Sequence, residues 1–188
     1  MYDNWDDLLK ACKQCDRCDL CKSRTNVVIE RGNRDSKVMF VGEGPGEKED
    51  LSGQPFVGEA GKLLNNLFEA QQFSPDTYYI ANIVKCRPPA NREPSDDEAE
   101  KCLSFSRNQF LLVKPKILVC LGSVASKYII DKEIRVSLRH GQWISKGKFL
   151  MMPVYHPAAV LRDEYKRELF WNDFVKIKDK MKVEGIWR

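Results

Sequence analysis

Four of the seven cysteines fall at Cys12, Cys15, Cys18 and Cys21, each three residues after the last, and two more, Cys86 and Cys102, lie far downstream with fifteen residues between them. A Cys-x-x-Cys step turns two thiolates toward one point. A pair from elsewhere in the chain then completes a four-sulfur site for a structural zinc or an iron–sulfur cluster. A fold that uses both groups must bring residue 86 back to the N-terminus. The downstream pair also brackets a run of Arg, Pro and Asn, so a metal here would staple a functional-looking loop to residues 12–21. Cys12 and Cys21 allow other Cys-x-x-Cys registers, and spacing does not choose among them. The seventh, Cys120, sits in the apolar run Ile117–Leu121 and reads as a small buried hydrophobe.

The N-terminal stretch MYDNWDDLLKAC is acidic and amphipathic, unlike a signal peptide, and no apolar run approaches the roughly 18 residues of a membrane span. We therefore expect a cytoplasmic protein, in which this many cysteines favour metal binding over disulfides. A length of 188 residues with a 43% hydrophobic fraction suits one domain, residues 1–188, with a substantial core. A net charge of +4 permits nucleic-acid binding without demanding it. Basic residues gather in Lys85–Arg92, Arg135–Arg139 and Arg162–Arg167, although each patch alone also fits ordinary solvated surface.

Hydrophobic periodicity predicts a short helix over residues 5–12, then strands at Lys37–Val41, Tyr78–Val84, Ile117–Leu121 and Phe149–Val154. Helices are expected at 59–71, from Ser95 to about Leu112 behind a capping box with Glu98, at Ser123–Ile130, and from about Lys166 to Lys182. Ile134–Trp143 reads as irregular or a hairpin. Strands alternating with helices imply an α/β fold with three layers, α/β/α, around a mostly parallel four-stranded sheet. Ligands in such folds gather beyond the carboxyl ends of the strands. Three chemistry-bearing segments end up there: Gly42–Asp50, Asn82–Arg87 and His156–Arg162.

The turn Gly42-Glu43-Gly44-Pro45-Gly46 fails the dinucleotide fingerprint, because the third glycine would fall at Glu47. Its carboxylates, Glu43, Glu47, Glu49 and Asp50, would repel a pyrophosphate and suit acid–base or electrostatic work instead. Phe56, after Gly53-Gln54-Pro55, can stack on a planar ligand or anchor its loop on the core. Asn82 sits in an otherwise apolar strand, where a buried amide needs partners; it can read a carbonyl beside an imide N–H, as on a pyrimidine. His156, at a strand end before Pro157, can donate to developing negative charge. His140 reads as surface.

Taken together these motifs resemble the family 4, iron–sulfur branch of the uracil-DNA glycosylases. The resemblance spans about residues 12–175 and rests on four ordered motifs: Gly42-Glu43-Gly44-Pro45-Gly46 with Glu49-Asp50; Gly53-x-Pro55-Phe56-Val57-Gly58; Asn82-Ile83-Val84-Lys85-Cys86-Arg87-Pro88-Pro89; and His156-Pro157-Ala158. It implies a monofunctional enzyme that hydrolyses the N-glycosidic bond of uracil in DNA, single- or double-stranded, acting as a monomer. It implies a [4Fe–4S] cluster on Cys15, Cys18, Cys86 and Cys102, with Leu20, Arg24 and Thr25 matching the flanking pattern and Cys12 and Cys21 spare. Glu43, Glu49 and His156 are the implied catalytic residues. Gly42, Gly44, Phe56, Asn82 and His156 are implied to hold the uracil. Arg87, Leu161 and Arg162 are implied to meet DNA, with Leu161 filling the gap left in the base stack. The segment Cys86-Arg87-Pro88-Pro89 lacks the basic, His-containing insertion of a related branch that becomes covalently trapped on DNA. Other classes fit less well. A ferredoxin-like carrier lacks its Cys-Pro ending and a redox partner motif here, and a zinc-binding nucleic-acid module without catalysis would be colourless where an iron–sulfur protein is brown.

Overall fold

The computed structural model describes residues 2–187. The apolar runs become strands β1 (Arg31–Gly32), β2 (Val38–Gly42), β3 (Tyr79–Asn82), β4 (Ile117–Leu121), β5 (Ile144–Lys146) and β6 (Phe149–Val154). The helices are α1 (Trp5–Lys13), α2 (Glu47–Ser52), α3 (Glu59–Ala70), α4 (Asp96–Val113), α5 (Ser123–Ile129), α6 (Val136–Arg139), α7 (Pro157–Arg162) and α8 (Tyr165–Val183). Among the described residues the sheet runs β1-β3-β2-β4-β6-β5. Its four central strands are parallel, as expected.

Two antiparallel edge strands correct the four-stranded expectation: β1 pairs with β3, and β5 with β6. Strands of two and three residues carry too little alternation to be seen in a sequence. The Ile134–Trp143 segment holds the short helix α6, and the hairpin follows it, turning at Gly147 with φ +60°.

The central strands are apolar throughout because both faces are covered. Successive side chains of β2 alternate. Val38 and Phe40 face α3 and α8, where Phe40 stands 5.0 Å from Phe68 and 5.6 Å from Phe174 between ring centroids. Met39 and Val41 face the opposite layer, with Ala99 of α4, Ala125 of α5 and the buried Cys120. Ser95 caps α4: its Oγ accepts from the Glu98 amide at 3.2 Å, and Glu98 Oε2 accepts from the Ser95 amide at 2.8 Å.

From β2 the chain crosses to β3 on one side, and later to β4 on the other. That divergence opens a crevice beyond the carboxyl ends of β2 and β4, the place where such sheets bind ligands.

Candidate active site

The crevice has a volume of about 940 Å³, and Glu43, Glu49, Phe56, Asn82, His156 and Arg162 all line it. Residues spread over more than 110 positions of sequence thus converge on one space. Gly42 and Gly44 permit the convergence. A Cβ at Gly42 would collide with Asn82 Oδ1 and lie 2.6 Å from Phe56 Cζ; one at Gly44 would lie 2.6 Å from Val84 Cγ2.

Phe56 is both loop anchor and crevice wall. It is 6% exposed, and its ring centroid lies 6.0 Å from that of His156. Its φ of +57° is rare for a bulky residue, and strain of this sort costs on the order of 1–3 kcal/mol. Neighbours hold it there. Arg31 Nη1 donates to the Phe56 carbonyl at 3.2 Å, while the following amides of Val57 and Gly58 donate to Glu49 Oε1 at 2.8 and 2.6 Å. Gly61 lets α3 press against the Phe56 backbone, where any Cβ would collide. Neither Arg31 nor Gly61 stands out in the sequence; a glycine inside an otherwise good helix is the signal that could have been read.

Asn82 ends β3 and is 2% exposed. Its Oδ1 is buried without a hydrogen-bond partner. A buried acceptor left unpaired costs about 1–3 kcal/mol, so a site that keeps one is built for a ligand's N–H.

His156 caps α7. Its Nδ1 accepts from the Ala158 amide at 3.2 Å, which leaves the ring proton on Nε2. Burial, reinforced by Arg162, pushes its pKa down to about 4. At neutral pH it is an uncharged imidazole offering one N–H.

The two glutamates differ. Glu49 is fixed through Oε1 by the two amides above, and its Oε2 makes no protein hydrogen bond among the described residues. Glu43 is pushed up to about 7, first by burial and then by Glu93, with Arg162 opposing. Near neutral pH it is therefore about half protonated.

The basic segment Lys85–Arg92 is mostly occupied. Lys85 is fully buried, so it is not part of an exposed basic loop. Arg92 forks onto Glu98 at 2.7 and 2.8 Å, and Arg87 donates to Asn91 Oδ1 at 2.7 Å with Glu47 at 3.7 Å. Leu161 is 42% exposed on α7 beside Arg162. His140, expected at the surface, is half-buried. Its Nδ1 lies 2.8 Å from Asp173 Oδ2, a contact with α8 that no local pattern announces.

A profile described as the uracil DNA glycosylase superfamily matches residues 29–177. The chain belongs to the uracil DNA glycosylase superfamily. It is similar to the type-4 uracil-DNA glycosylase of Archaeoglobus fulgidus, 40% identical over 185 residues that cover 93% of this chain and 92% of that protein. The type-4 uracil-DNA glycosylase of Thermotoga maritima is 39% identical over 169 residues, covering 87% of each. That of Saccharolobus solfataricus is 38% identical over 193 residues, covering 98% and 89%.

A second site lies on the opposite side of the sheet from α3. Cys12, Cys15, Cys18, Cys21, Cys86 and Cys102 line one pocket, and none forms a disulfide. Arg24 Nη1 donates to Cys86 Sγ at 3.2 Å and to the Cys15 carbonyl at 2.7 Å; Arg17 Nε donates to Cys15 Sγ at 3.4 Å. Guanidinium donors aimed at sulfur suit thiolate ligands of a metal centre. Among the described residues no three Cys, His, Asp or Glu side chains close on one point as a single ion requires. Burial pushes the Cys86 thiol up to about 11, so metal loading there expels protons. The pocket is tied to the crevice by Asp50, whose carboxylate accepts from the Thr25 and Asn26 amides at 2.9 and 3.2 Å.

Proposed function

We propose that the protein removes uracil from DNA by hydrolysing its N-glycosidic bond, releasing the free base and leaving an abasic site. The observation that carries this reading at the site is the unpaired, buried Oδ1 of Asn82 between Phe56 and His156. A uracil N3–H satisfies it, with the Asn82 Nδ2 donating to O4. Cytosine offers an acceptor at N3 and a donor at N4, so it leaves both groups mispaired.

A base inside a duplex cannot reach this crevice and must be extruded, at a cost of a few kcal/mol that a U·G mismatch lowers and a single strand avoids. The uracil stacks on Phe56. As the bond from N1 to C1′ lengthens, negative charge grows on the base, and the His156 Nε2–H donates to O2. Glu49 orients a water through its free Oε2 toward C1′. The water's oxygen bonds to C1′, one proton passes to the carboxylate, and the departing base keeps the electron pair of the broken bond. Glu43, near half protonation, lies alongside the base and sugar. Arg162 meets a phosphate, and Leu161 enters the vacated stack. Arg87 braces the Pro88–Arg92 loop at the DNA-facing edge. All of these groups come from one chain, so the site needs no partner subunit and we take the active species as a monomer.

We propose that the cysteine pocket holds a [4Fe–4S] cluster on Cys15, Cys18, Cys86 and Cys102, the set that the resemblance implies among the six cysteines lining it. A cluster with one thiolate per iron spreads its sulfurs farther apart than the tight tetrahedron of a zinc site. Bound there, it would serve as a structural cross-link from residues 15–18 to residues 86–102. Among the described residues, no helix is long and apolar enough to cross a membrane.

The test is a labelled strand carrying one uracil, incubated with purified protein and then treated with alkali. A cut at the uracil, absent with thymine or cytosine in its place, is expected. Intact strands on both single-stranded and U·G substrates would overturn the proposal.

A further inference from the structure

Lys85 lies between the two sites, within the motif that joins Asn82 to Cys86, and no role has been given to it so far. It is 1% exposed, and it lines the cysteine pocket. Its ammonium donates to the Asn82 carbonyl at 2.5 Å, to Gln109 Oε1 at 2.6 Å and to Ser106 Oγ at 3.4 Å. All three N–H groups are thereby used. Gln109 is itself fixed, donating to the Ile29 carbonyl at 3.0 Å and to the Tyr79 hydroxyl at 2.7 Å. Tyr79 in turn donates to Glu30 Oε2 at 2.6 Å. Ser106 Oγ reaches the Asn82 carbonyl as well, at 3.3 Å.

Past Asn82, the last residue of β3, the Ile83 and Val84 amides still donate to the Gly42 and Glu43 carbonyls at 2.9 and 3.0 Å. The other side of the same peptide, the Asn82 carbonyl, is held by side chains, with the charged Lys85 as its shortest donor. A fully buried ammonium among neutral acceptors is costly, and ordinary core packing would place an apolar side chain at this position. A charge-assisted hydrogen bond to a main-chain carbonyl is about twice as strong as a neutral one and fixes the peptide's direction. We propose that Lys85 is a positioning residue for base recognition, rigidly aligning the Asn82 backbone so that its side-chain amide meets the uracil edge in one orientation. This rests on the reading of Asn82 as the base-reading group.

Two variants test it. Lys85→Met keeps the volume and removes the donor; Gln109→Met removes one of the acceptors that hold the ammonium in place. Both are compared with the wild type as metal-loaded protein, well below the unfolding temperature, for free-uracil affinity and for the kcat and KM of uracil excision from single-stranded DNA. The expected result for Lys85→Met is about tenfold or more weaker uracil binding, with kcat lowered and the KM for DNA held. Gln109→Met should give the same pattern in smaller measure. A structural role alone lowers melting temperature and active fraction while leaving the uracil affinity of the folded protein intact. Uracil affinity unchanged in both variants overturns the proposal. Wild-type excision in the same assay reports separately on the glycosylase reading. If Lys85→Met does not fold, the Gln109→Met affinity decides.

Discussion

Replacing His156 with alanine removes two things that the structure separates. The first is the Nε2–H aimed into the crevice. Losing one preorganised donor to a developing oxyanion costs roughly 2.7–4 kcal/mol of barrier, or about 10²–10³-fold in rate. The second is the cap on α7, where Nδ1 accepts from the Ala158 amide at 3.2 Å. Losing a cap costs about 1 kcal/mol, which for a protein of this size lowers the melting temperature by roughly 2–4 °C. A single-turnover assay at 25 °C isolates the first effect, since so small a loss of stability leaves the protein folded. In a Glu43→Gln background, which removes the carboxyl that titrates near 7, the rate should also carry no inflection near the ordinary histidine pKa, because the ring stays neutral down to about 4. The linkage has a definite sign. The folded pKa lies below the unfolded value of 6.5, so the contribution to stability is full above pH 6.5 and is lost as pH falls through 4. His156→Ala should lose that acid-sensitive component. A His156→Ala variant within threefold of the wild-type single-turnover rate, or a Glu43→Gln profile rising with an apparent pKa near 6.5, would refute the assignment of a neutral N–H donor.

Asn82→Ala should cut uracil excision by about tenfold or more and narrow the preference for uracil over cytosine; an unchanged preference on matched oligonucleotides removes Asn82 from the reading role. The glutamates should part company, with Glu49→Gln losing roughly 10²–10⁴-fold at every pH and Glu43→Gln mainly abolishing a rate inflection near pH 7. Glu43 also has a stability signature. Its folded pKa of about 7 exceeds the unfolded 4.5, so its contribution is complete below pH 4.5 and is lost as pH rises through 7; melting curves of Glu43→Gln across that window should lack the decline. For the cysteine pocket, Cys86→Ser should lower iron content and loosen the 86–102 segment, seen as faster amide exchange there; wild-type iron and protection in that variant would argue against its place in the ligand set.

The alternation of apolar runs with helical periodicity made the parallel core legible, because β2, β3, β4 and β6 are buried on both faces and carry no polar interruptions save Asn82. That interruption was itself the clearest local sign of the site. The edge strands β1 and β5 were not legible, since pairs of two or three residues depend on a neighbour already in place. The site's members were readable as motifs, but what holds them was not. Arg31 against the Phe56 carbonyl and Asp173 against His140 are contacts between residues 25 or more positions apart, and Gly61 beneath Phe56 is a close approach that only the folded loop and helix create. The basic run Lys85–Arg92 misled for the same reason. Charge read along the chain suggested an exposed patch, whereas the fold buries Lys85 and engages Arg87 and Arg92 with Asn91 and Glu98.

The most direct test of the account is a crystal structure of the protein with free uracil. The account predicts the base stacked on Phe56, its N3–H on Asn82 Oδ1 and its O2 facing His156 Nε2. Uracil bound elsewhere, or seated in the crevice with Asn82 Oδ1 still unpaired, would contradict it.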